Sequence, residues 1–405
     1  MTGPLHGIRV FDMTRILAGP SCTQMLGDLG ADVIKIERPD TGDDTRRFAP
    51  PFLPDADGND TGESAYFTCA NRNKRSMTLD VKHPDGQKLA RRMITKCDIF
   101  ADNFKTGGLA KYGLDYESLK GENPGLIYCS ITGFGQTGPY AKRPGYDVLI
   151  QGMGGFMSVT GDPDSEPQKA GIPVSDLIAG MYAGVAINAA LRHREVTGKG
   201  QFIDIGMLDT TAAILSIMGA NYLATGEVPK RLGNAHPNIV PYQSFPTADG
   251  DIILAVGNDG QFERLCEFAG CPELTADGRF ATNGARVTNR DALIPILRDI
   301  LSTKPSKHWL EGLEKNNVSC GPINRLDQVF DDPQVEARGM KIHMDHPATG
   351  GRGVDMVGSP MRFSDSPTSY RHAPPMLGQH TEEILREVID ATEAEIVEWR
   401  AKGVI

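Results

Sequence analysis

Clustered metal ligands are missing from this sequence. Its seven cysteines, Cys22, Cys69, Cys97, Cys129, Cys266, Cys271 and Cys320, contain no Cys-x-x-Cys pair, and their odd number suits reduced thiols in a reducing compartment. The nine histidines are dispersed; His343 and His346 are the one close pair and have no cysteine beside them, so no metal is expected. Nucleotide loops are missing too. Gly152-Met153-Gly154-Gly155 does not make Gly-x-Gly-x-x-Gly, and Gly-x4-Gly-Lys-Ser/Thr does not occur, which removes the usual dehydrogenase and P-loop readings. No uninterrupted apolar run reaches the roughly 18 residues that span a bilayer. Met1-Thr2-Gly3-Pro4 leads straight into a strand-like segment without a signal-peptide pattern, so the expectation is a cytoplasmic protein with no membrane partner. Positive charge is also short. A net charge of −10 argues against nucleic acid, whose phosphates demand a broad basic surface, and leaves room for a local pocket for one small anion. Neither an internal repeat nor a low-complexity tract interrupts the 405 residues, and 40% apolar with 23% charged residues is the profile of a soluble globular protein.

What is present is alternation. From Gly7 to about Gly133, residues 8–11, 32–36, 76–79, 98–101 and 126–130 read as strands, with helical stretches such as 20–30 and 84–96 between them. This predicts an α/β fold, a parallel sheet with helices on both faces and a ligand site beyond the carboxyl ends of the strands. A long apolar helix follows at 177–191, then a turn at 197–200, a strand at 201–205 and another apolar helix through Ala224. Pro229, Pro237, Pro241 and Pro246 next crowd a linker-like segment, residues 251–256 give a strand, and a helical region begins at about Gln261. A Pro/Gly-rich tail from His346 to Gly378 delivers two helices, the last opening with the capping box Thr392-Glu393-Ala394-Glu395 and closing at Gly403.

The run Gly171-Ile172-Pro173-Val174-Ser175-Asp176-Leu177 places a hydroxyl and a carboxylate at the mouth of the long helix. Two readings stand. Ser175 or Asp176 caps the orphan N–H groups of the first turn, or Asp176 is a nucleophile. Gly180, Ala183, Gly184 and Ala186 leave little side chain on one face, so another backbone can pack close there. Asn71-Arg72-Asn73-Lys74-Arg75 sets three cations just before a strand, and Arg38, Lys105 and Lys111 also fall near strand ends. These are solvated turns, or Arg38, Lys74, Arg75 and Lys105 converge into one phosphate-binding patch. Thr132 to Pro139 is a glycine-punctuated loop whose N–H groups can approach a ligand, or an ordinary loop. A second such loop runs from Gly257 to Phe262, where Asn258 or Asp259 caps the helix behind it. Tyr146-Asp147 is a turn or a second acid.

Several ordered motifs together resemble the class III coenzyme A transferases, the group of formyl-CoA transferase and carnitine CoA-transferase, with alpha-methylacyl-CoA racemase as a relative. They are Leu17-Ala18-Gly19-Pro20, Gly30 to Glu37, Asn73-Lys74-Arg75-Ser76, Ser130 to Gly138, Thr197 to Gly200 and Pro374 to Gly378, spread over nearly the whole chain. The resemblance implies a large Rossmann-like CoA-binding domain over 1–225, a smaller α+β domain over 226–334, and a segment over 335–405 that returns to the large domain. It implies an interlocked homodimer whose active sites involve both chains. By the same matching Asp176 is the nucleophile. The CoA-contacting positions are Ile16, Leu17, Arg38, Asn71, Arg72, Asn73, Lys74, Asn103, Phe104, Lys105, Lys111, Thr132, Gly133, Phe134 and Gly135. Asn258, Asp259, Gly260 and Gln261 resemble the family's mobile glycine loop, although formyl-CoA transferase has a longer glycine run there.

The partners so implied are an acyl-CoA and a carboxylic acid, with coenzyme A as substrate and no permanently bound cofactor. A helix N-terminus near Asp176 is expected to favour its anion, and glycine-loop N–H groups to stabilise oxyanions. Two alternatives are set against transfer. A 2-methylacyl-CoA racemase or epimerase needs an acid/base pair, and racemases of this family carry His-Asp where this chain has Tyr146-Asp147, so one proton carrier is missing. A non-catalytic acyl-CoA-binding protein would use the same basic pocket but needs no carboxylate at 176. The stretches Gly42 to Arg46 and His236 to Tyr242 are similar to members that move CoA between dicarboxylic acids such as succinate and glutarate, with Arg46 or Arg47 as the partner of a distal carboxylate or as surface charge.

Overall fold

Short runs such as Val33-Ile34-Lys35-Ile36 are too brief for helices and rich in β-branched residues, and in a computed structural model describing residues 3–405 they pair as parallel strands. Six strands, β1 (Arg9–Asp12), β2 (Asp32–Glu37), β3 (Lys74–Thr78), β4 (Ile99–Asp102), β5 (Ile127–Thr132) and β6 (Phe202–Gly206), form one sheet in the order β3-β2-β1-β4-β5-β6. All five pairings are parallel. The order turns back on itself between β1 and β4, and this is the point where ligands of such sheets bind.

Alternate residues of each strand serve opposite cores. Phe11, Ile34, Met77 and Phe100 pack with Leu89 and Met93 of α2 (Pro84–Ile94) and with Ile384, Leu385 and Ile396 of the C-terminal helices Thr381–Ile389 and Glu393–Ala401. Val10, Val33, Ile99 and Ile127 pack on the other face with α1 (Ala18–Asp28) and α4 (Val174–Thr197). Between β5 and β6 the chain also forms α3 (Asp147–Met153), and α5 (Met207–Ala213) follows β6. The 24-residue α4 is long and apolar enough by length and composition to cross a bilayer; here Ala179, Ala183, Ile187 and Ala190 are buried in the core.

Met1–Phe156, Lys169–Ile217 and Pro333–Ile405 make one compact unit, and Met157–Gln168 with Met218–Asp332 make a second. The second holds a three-stranded antiparallel sheet with Asp251–Ala255 between Tyr242–Pro246 and Ser319–Pro322. Its core includes Phe245, Ile252, Leu254, Phe262, Leu297 and Trp309. Met157–Gln168 belongs there because the Arg231 guanidinium donates to the Asp162 carbonyl (3.1 Å) and the Gly233 N–H to the Gly161 carbonyl (3.0 Å).

Two expectations are corrected. Tyr242–Pro246 lies in the proline-crowded stretch read as a linker, yet it is an edge strand, a position that tolerates Pro246 because a missing N–H there breaks no inner pairing. The apolar helix expected through Ala224 is two helices, α5 and Ser216–Thr225, parted where Ser216 takes φ +47°. The capping box of the last helix forms as expected, with the Glu395 N–H donating to Thr392 Oγ1 and the Thr392 N–H to Glu395 Oε2.

The small residues of α4 do admit a second backbone. A Cβ on Gly180 would lie 2.4 Å from Ser21 Oγ and 2.6 Å from the Ala18 carbonyl oxygen, so α1 and α4 touch main chain to main chain. Gly180→Ala should therefore lower the unfolding free energy by about 1–3 kcal/mol through overpacking, read in urea unfolding; an unchanged midpoint would show that the two helices have slack.

Candidate active site

The carboxyl end of β1 makes a tight turn. Asp12 Oδ1 accepts from the Thr14 N–H (2.9 Å) and hydroxyl (2.6 Å), and the chain then enters a strained residue, Ile16 at φ +69°. A β-branched residue holds that conformation only when its surroundings impose it. Here Asn103, just beyond β4, does so. Its Oδ1 accepts from the Arg15 N–H (2.9 Å) and its Nδ2 donates to the Arg15 carbonyl (2.6 Å), pinning both backbone groups of the preceding residue. Asp102 Oδ1 accepts from the Phe104 N–H (2.9 Å), and the Arg15 guanidinium lies 5.2 Å from the centre of the Phe104 ring.

These turns wall a cavity of about 180 Å³ directly beyond the β1/β4 switch point. Ile16, Leu17, Asn103, Lys105, Thr132 and Gly133 line it, and Asp176 lies in its wall. Arg15 and Phe104 also border a neighbouring cavity of about 200 Å³ that holds Arg38. Two buried polar atoms beside the first cavity, Arg15 Nε and Thr132 Oγ1, have no hydrogen-bond partner among the described residues. Among the described residues no histidine lines that cavity.

Asp176 does not cap its helix. It is the third residue of α4, and its carboxylate accepts no hydrogen bond among the described residues. Asp147, at the start of α3, does the capping instead: its Oδ1 accepts from the N–H of Ser175 (2.9 Å) and of Asp176 (3.3 Å). Ser175 turns inward, where its Oγ accepts from the Thr211 hydroxyl of α5 (2.9 Å). Burial, with the like charge of Asp147 added, pushes the Asp176 carboxyl up to about 7. The expected anion-favouring helix end is thus outweighed, because its N–H groups already serve another carboxylate.

The expected phosphate patch does not assemble as read. Lys74 is fully buried; its Nζ donates to the Pro20 carbonyl (2.9 Å) and stands 3.3 Å from Asp12 Oδ2, and burial draws its pKa down to about 8. Arg75 is held by Asp32, Glu383 and Glu387, Arg72 by Asp28, and the Asn73 amide donates to Asp28 and to the Ser369 carbonyl. Asn71 is buried, with its Nδ2 on the Phe67 carbonyl. The strand ends do converge, but only Arg38 and Lys105 of that four line the cavities; Arg38 pairs with the part-exposed Asp44 (2.7 Å), and Lys105 has no ion pair among the described residues. Lys111 stands 4.7 Å from the centre of the Tyr112 ring, which borders the Arg38 cavity. Phe134 turns into the core and Gly135 takes φ +78°, so only Thr132 and Gly133 of that loop reach the site.

Asn258, Asp259, Gly260 and Gln261 sit in the second unit. Asn258 Oδ1 accepts from the Gln261 N–H (2.9 Å), Gln261 Oε1 from the Gly257 N–H (2.7 Å), and Asp259 pairs with the buried Arg286 (2.8 Å). The expected cap at Asn258 is present. Arg46 forms ion pairs with Glu37 and Glu63, so it is committed internally, while Arg47 is exposed. Sequence reading missed Arg15 and Gln151. The signal for the second was the four-residue spacing from Asp147, which places both on one helix face.

Residues 5–381 match the family model of CoA-transferase family III. The chain belongs to that family and is an acyl-CoA:carboxylate CoA-transferase, as its motifs led one to expect. It is 50% identical over 390 residues to the succinate–glutarate CoA-transferase of Agrobacterium fabrum, covering 95% of this chain and 96% of that protein. The succinyl-CoA:glutarate CoA-transferase of Mus musculus is 42% identical over 402 residues, or 99% of this chain and 90% of the relative. A crystal structure of a CaiB/BaiF family protein from Brucella suis matches with a TM-score of 0.84 at 50% identity, over 96% of this chain and 100% of that one.

Because Lys74 compensates the fully buried Asp12, Lys74→Met should cost about 3–5 kcal/mol of folding stability. Chemical denaturation reads this directly, and a loss under about 1 kcal/mol would mean that Asp12 is neutralised some other way.

Proposed function

We propose that Asp176 is the nucleophile of coenzyme A transfer between dicarboxylic acids. The observation that supports it is a carboxylate that accepts no hydrogen bond among the described residues, in the wall of the cavity that Ile16-Leu17, Asn103 to Lys105 and Thr132-Gly133 enclose. Asp176 attacks the donor thioester and expels CoA thiolate, leaving an aspartyl-acyl anhydride. The thiolate attacks the aspartyl carbonyl, which releases the donor acid and leaves an aspartyl-CoA thioester. The acceptor carboxylate then attacks that thioester, and the freed thiolate takes the acceptor acyl group from the second anhydride, restoring Asp176. Each step exchanges one activated acyl group for another, so the cycle consumes no metal or nucleotide.

In this reading Arg38, Lys105 and Lys111 meet the phosphates of acyl-CoA, and the unpartnered Thr132 hydroxyl and Arg15 Nε supply hydrogen bonds to it. The relatives named for succinate and glutarate support a dicarboxylate pair such as succinyl-CoA and glutarate. A homodimer, interlocked as the resemblance implies, accounts for the outward stripe of α4, where Met181, Tyr182 and Val185 are 46%, 44% and 69% exposed.

Asp176→Asn should reduce exchange by about 1000-fold or more while acyl-CoA affinity, read by calorimetry, stays within a few-fold. Retained turnover would sink the mechanism. Hydroxylamine added during turnover should modify Asp176, located by peptide mass.

The attacking form is the carboxylate, and its pKa is raised to about 7, so kcat/KM should climb with pH through about 7 and level off above it. Asp147→Asn removes the like charge and should move that limb to lower pH. A wild-type limb in the ordinary carboxylate range would contradict the buried, unpartnered state of Asp176.

A further inference from the structure

The lead into α4 is loosely built. Gly171 has no neighbour within 4 Å of where a Cβ would stand, and Ile172 is 61% exposed. Yet this lead must deliver Asp176 to a fixed place. It is stapled at both ends by one buried side chain and its partner. Gln151 Oε1 accepts from the Ala170 N–H (2.9 Å) at the near end, and Gln151 Nε2 donates to Asp147 Oδ2 (2.6 Å). The other oxygen of Asp147 accepts from the N–H groups of Ser175 and Asp176 at the far end. A primary amide presents an acceptor to the N–H and a donor to the carboxylate at once, whatever the pH.

We propose that Gln151 is a positioning residue for the reacting carboxylate, acting through Asp147. The inference rests on the reading of Asp176 as nucleophile. Gln151 fixes the plane of the Asp147 carboxylate, that plane fixes the first turn of α4, and the first turn aims Asp176. Asp176 also lies within electrostatic reach of Tyr66 of the short helix Ala65–Thr68 and shares its cavity with the Asp147, Arg15, Lys105 and Arg143 side chains; of these groups Gln151 bonds Asp147.

The experiment is a double-mutant cycle on the full-length protein with Gln151→Met, Asp147→Asn and the pair, assayed with succinyl-CoA and glutarate across pH. Gln151→Met should lower kcat about 10- to 100-fold, as expected of a small misplacement, with KM for succinyl-CoA within about twofold. Its acid limb should move to lower pH, in the same direction as for Asp147→Asn, because a released Asp147 no longer holds its charge against Asp176. The double variant should lose no more than Asp147→Asn alone. Unchanged kcat, or losses that multiply, would overturn the inference.

Since Gln151 is fully buried, Gln151→Glu guards against a variant that fails to fold. It keeps an acceptor for Ala170 and offers Asp147 a donor only while the new carboxyl holds a proton, so its kcat should approach the parent's at low pH and fall away as pH rises. A parent-like profile in this variant would also overturn it. Hydroxylamine trapping in the parent separates the two claims: an adduct on Asp176 with a multiplicative cycle removes only the role of Gln151, whereas no adduct removes the nucleophile on which both stand.

Discussion

Two helices that touch backbone to backbone set the geometry of this protein. At Gly180 there is no room for a Cβ against the Ala18 carbonyl, and Ala179 and Ala183 are buried beside it. Because α1 begins where the strained turn at Ile16 ends, and α4 begins where Asp176 sits, this contact brings a backbone turn and a carboxylate to the same cavity. Larger residues on α4 would push α1 away and widen the cleft. Small residues here are a requirement of the site as much as of the core.

Around that contact the structure separates two uses of charge. Beneath the switch point lie fully buried pairs, Lys74 with Asp12 and Lys35 with Asp43 (2.9 Å), each compensated by a partner and by backbone or hydroxyl groups. Such pairs give little net stability, but removing either member is costly, so they hold the strand ends in one arrangement. At the cavity the cations are held more loosely. Among the described residues Arg15 and Arg38 pair only with the part-exposed Asp44, while Lys105 and Arg143 have no ion pair, Arg143 packing on the rings of Phe134 and Tyr140. One set of cations fixes the shape and the other stays available.

The parallel sheet was legible because its strands are short β-rich runs separated by helical ones, and β1, β2, β4 and β5 fall within two residues of the expected places. Gly180 and Ala183 announced the close approach in plain composition. The cations were legible as residues but not as roles: Asn71 to Arg75 read as one exposed cluster, whereas successive side chains of β3 are taken by acids distant in sequence, the buried Asp12 for Lys74 and the part-exposed Asp32 for Arg75. Those partnerships are set by tertiary packing, which local pattern does not encode. The same limit hid the cap of α4. An acid near a helix start is normally its own cap, and nothing in the run from Pro173 to Leu177 says that Asp147, 29 residues earlier, has taken the N–H groups.

That substitution of one acid for another bears on reactivity. A carboxylate that caps a helix spends its lone pairs on N–H groups, is stabilised as an anion, and is for that reason a poor nucleophile. Handing the cap to Asp147 leaves Asp176 in the same place with its oxygens unengaged, in a buried setting that water solvates poorly, beside a like charge. Both effects raise its proton affinity to about 7, and a carboxylate of higher basicity attacks a thioester carbonyl more readily once ionised. The gain has an upper bound, since further basicity would leave too little anion near neutral pH. On the proposed mechanism, then, the chemistry depends on the residue that does the capping: Asp147 keeps the helix start satisfied and thereby keeps Asp176 free to react.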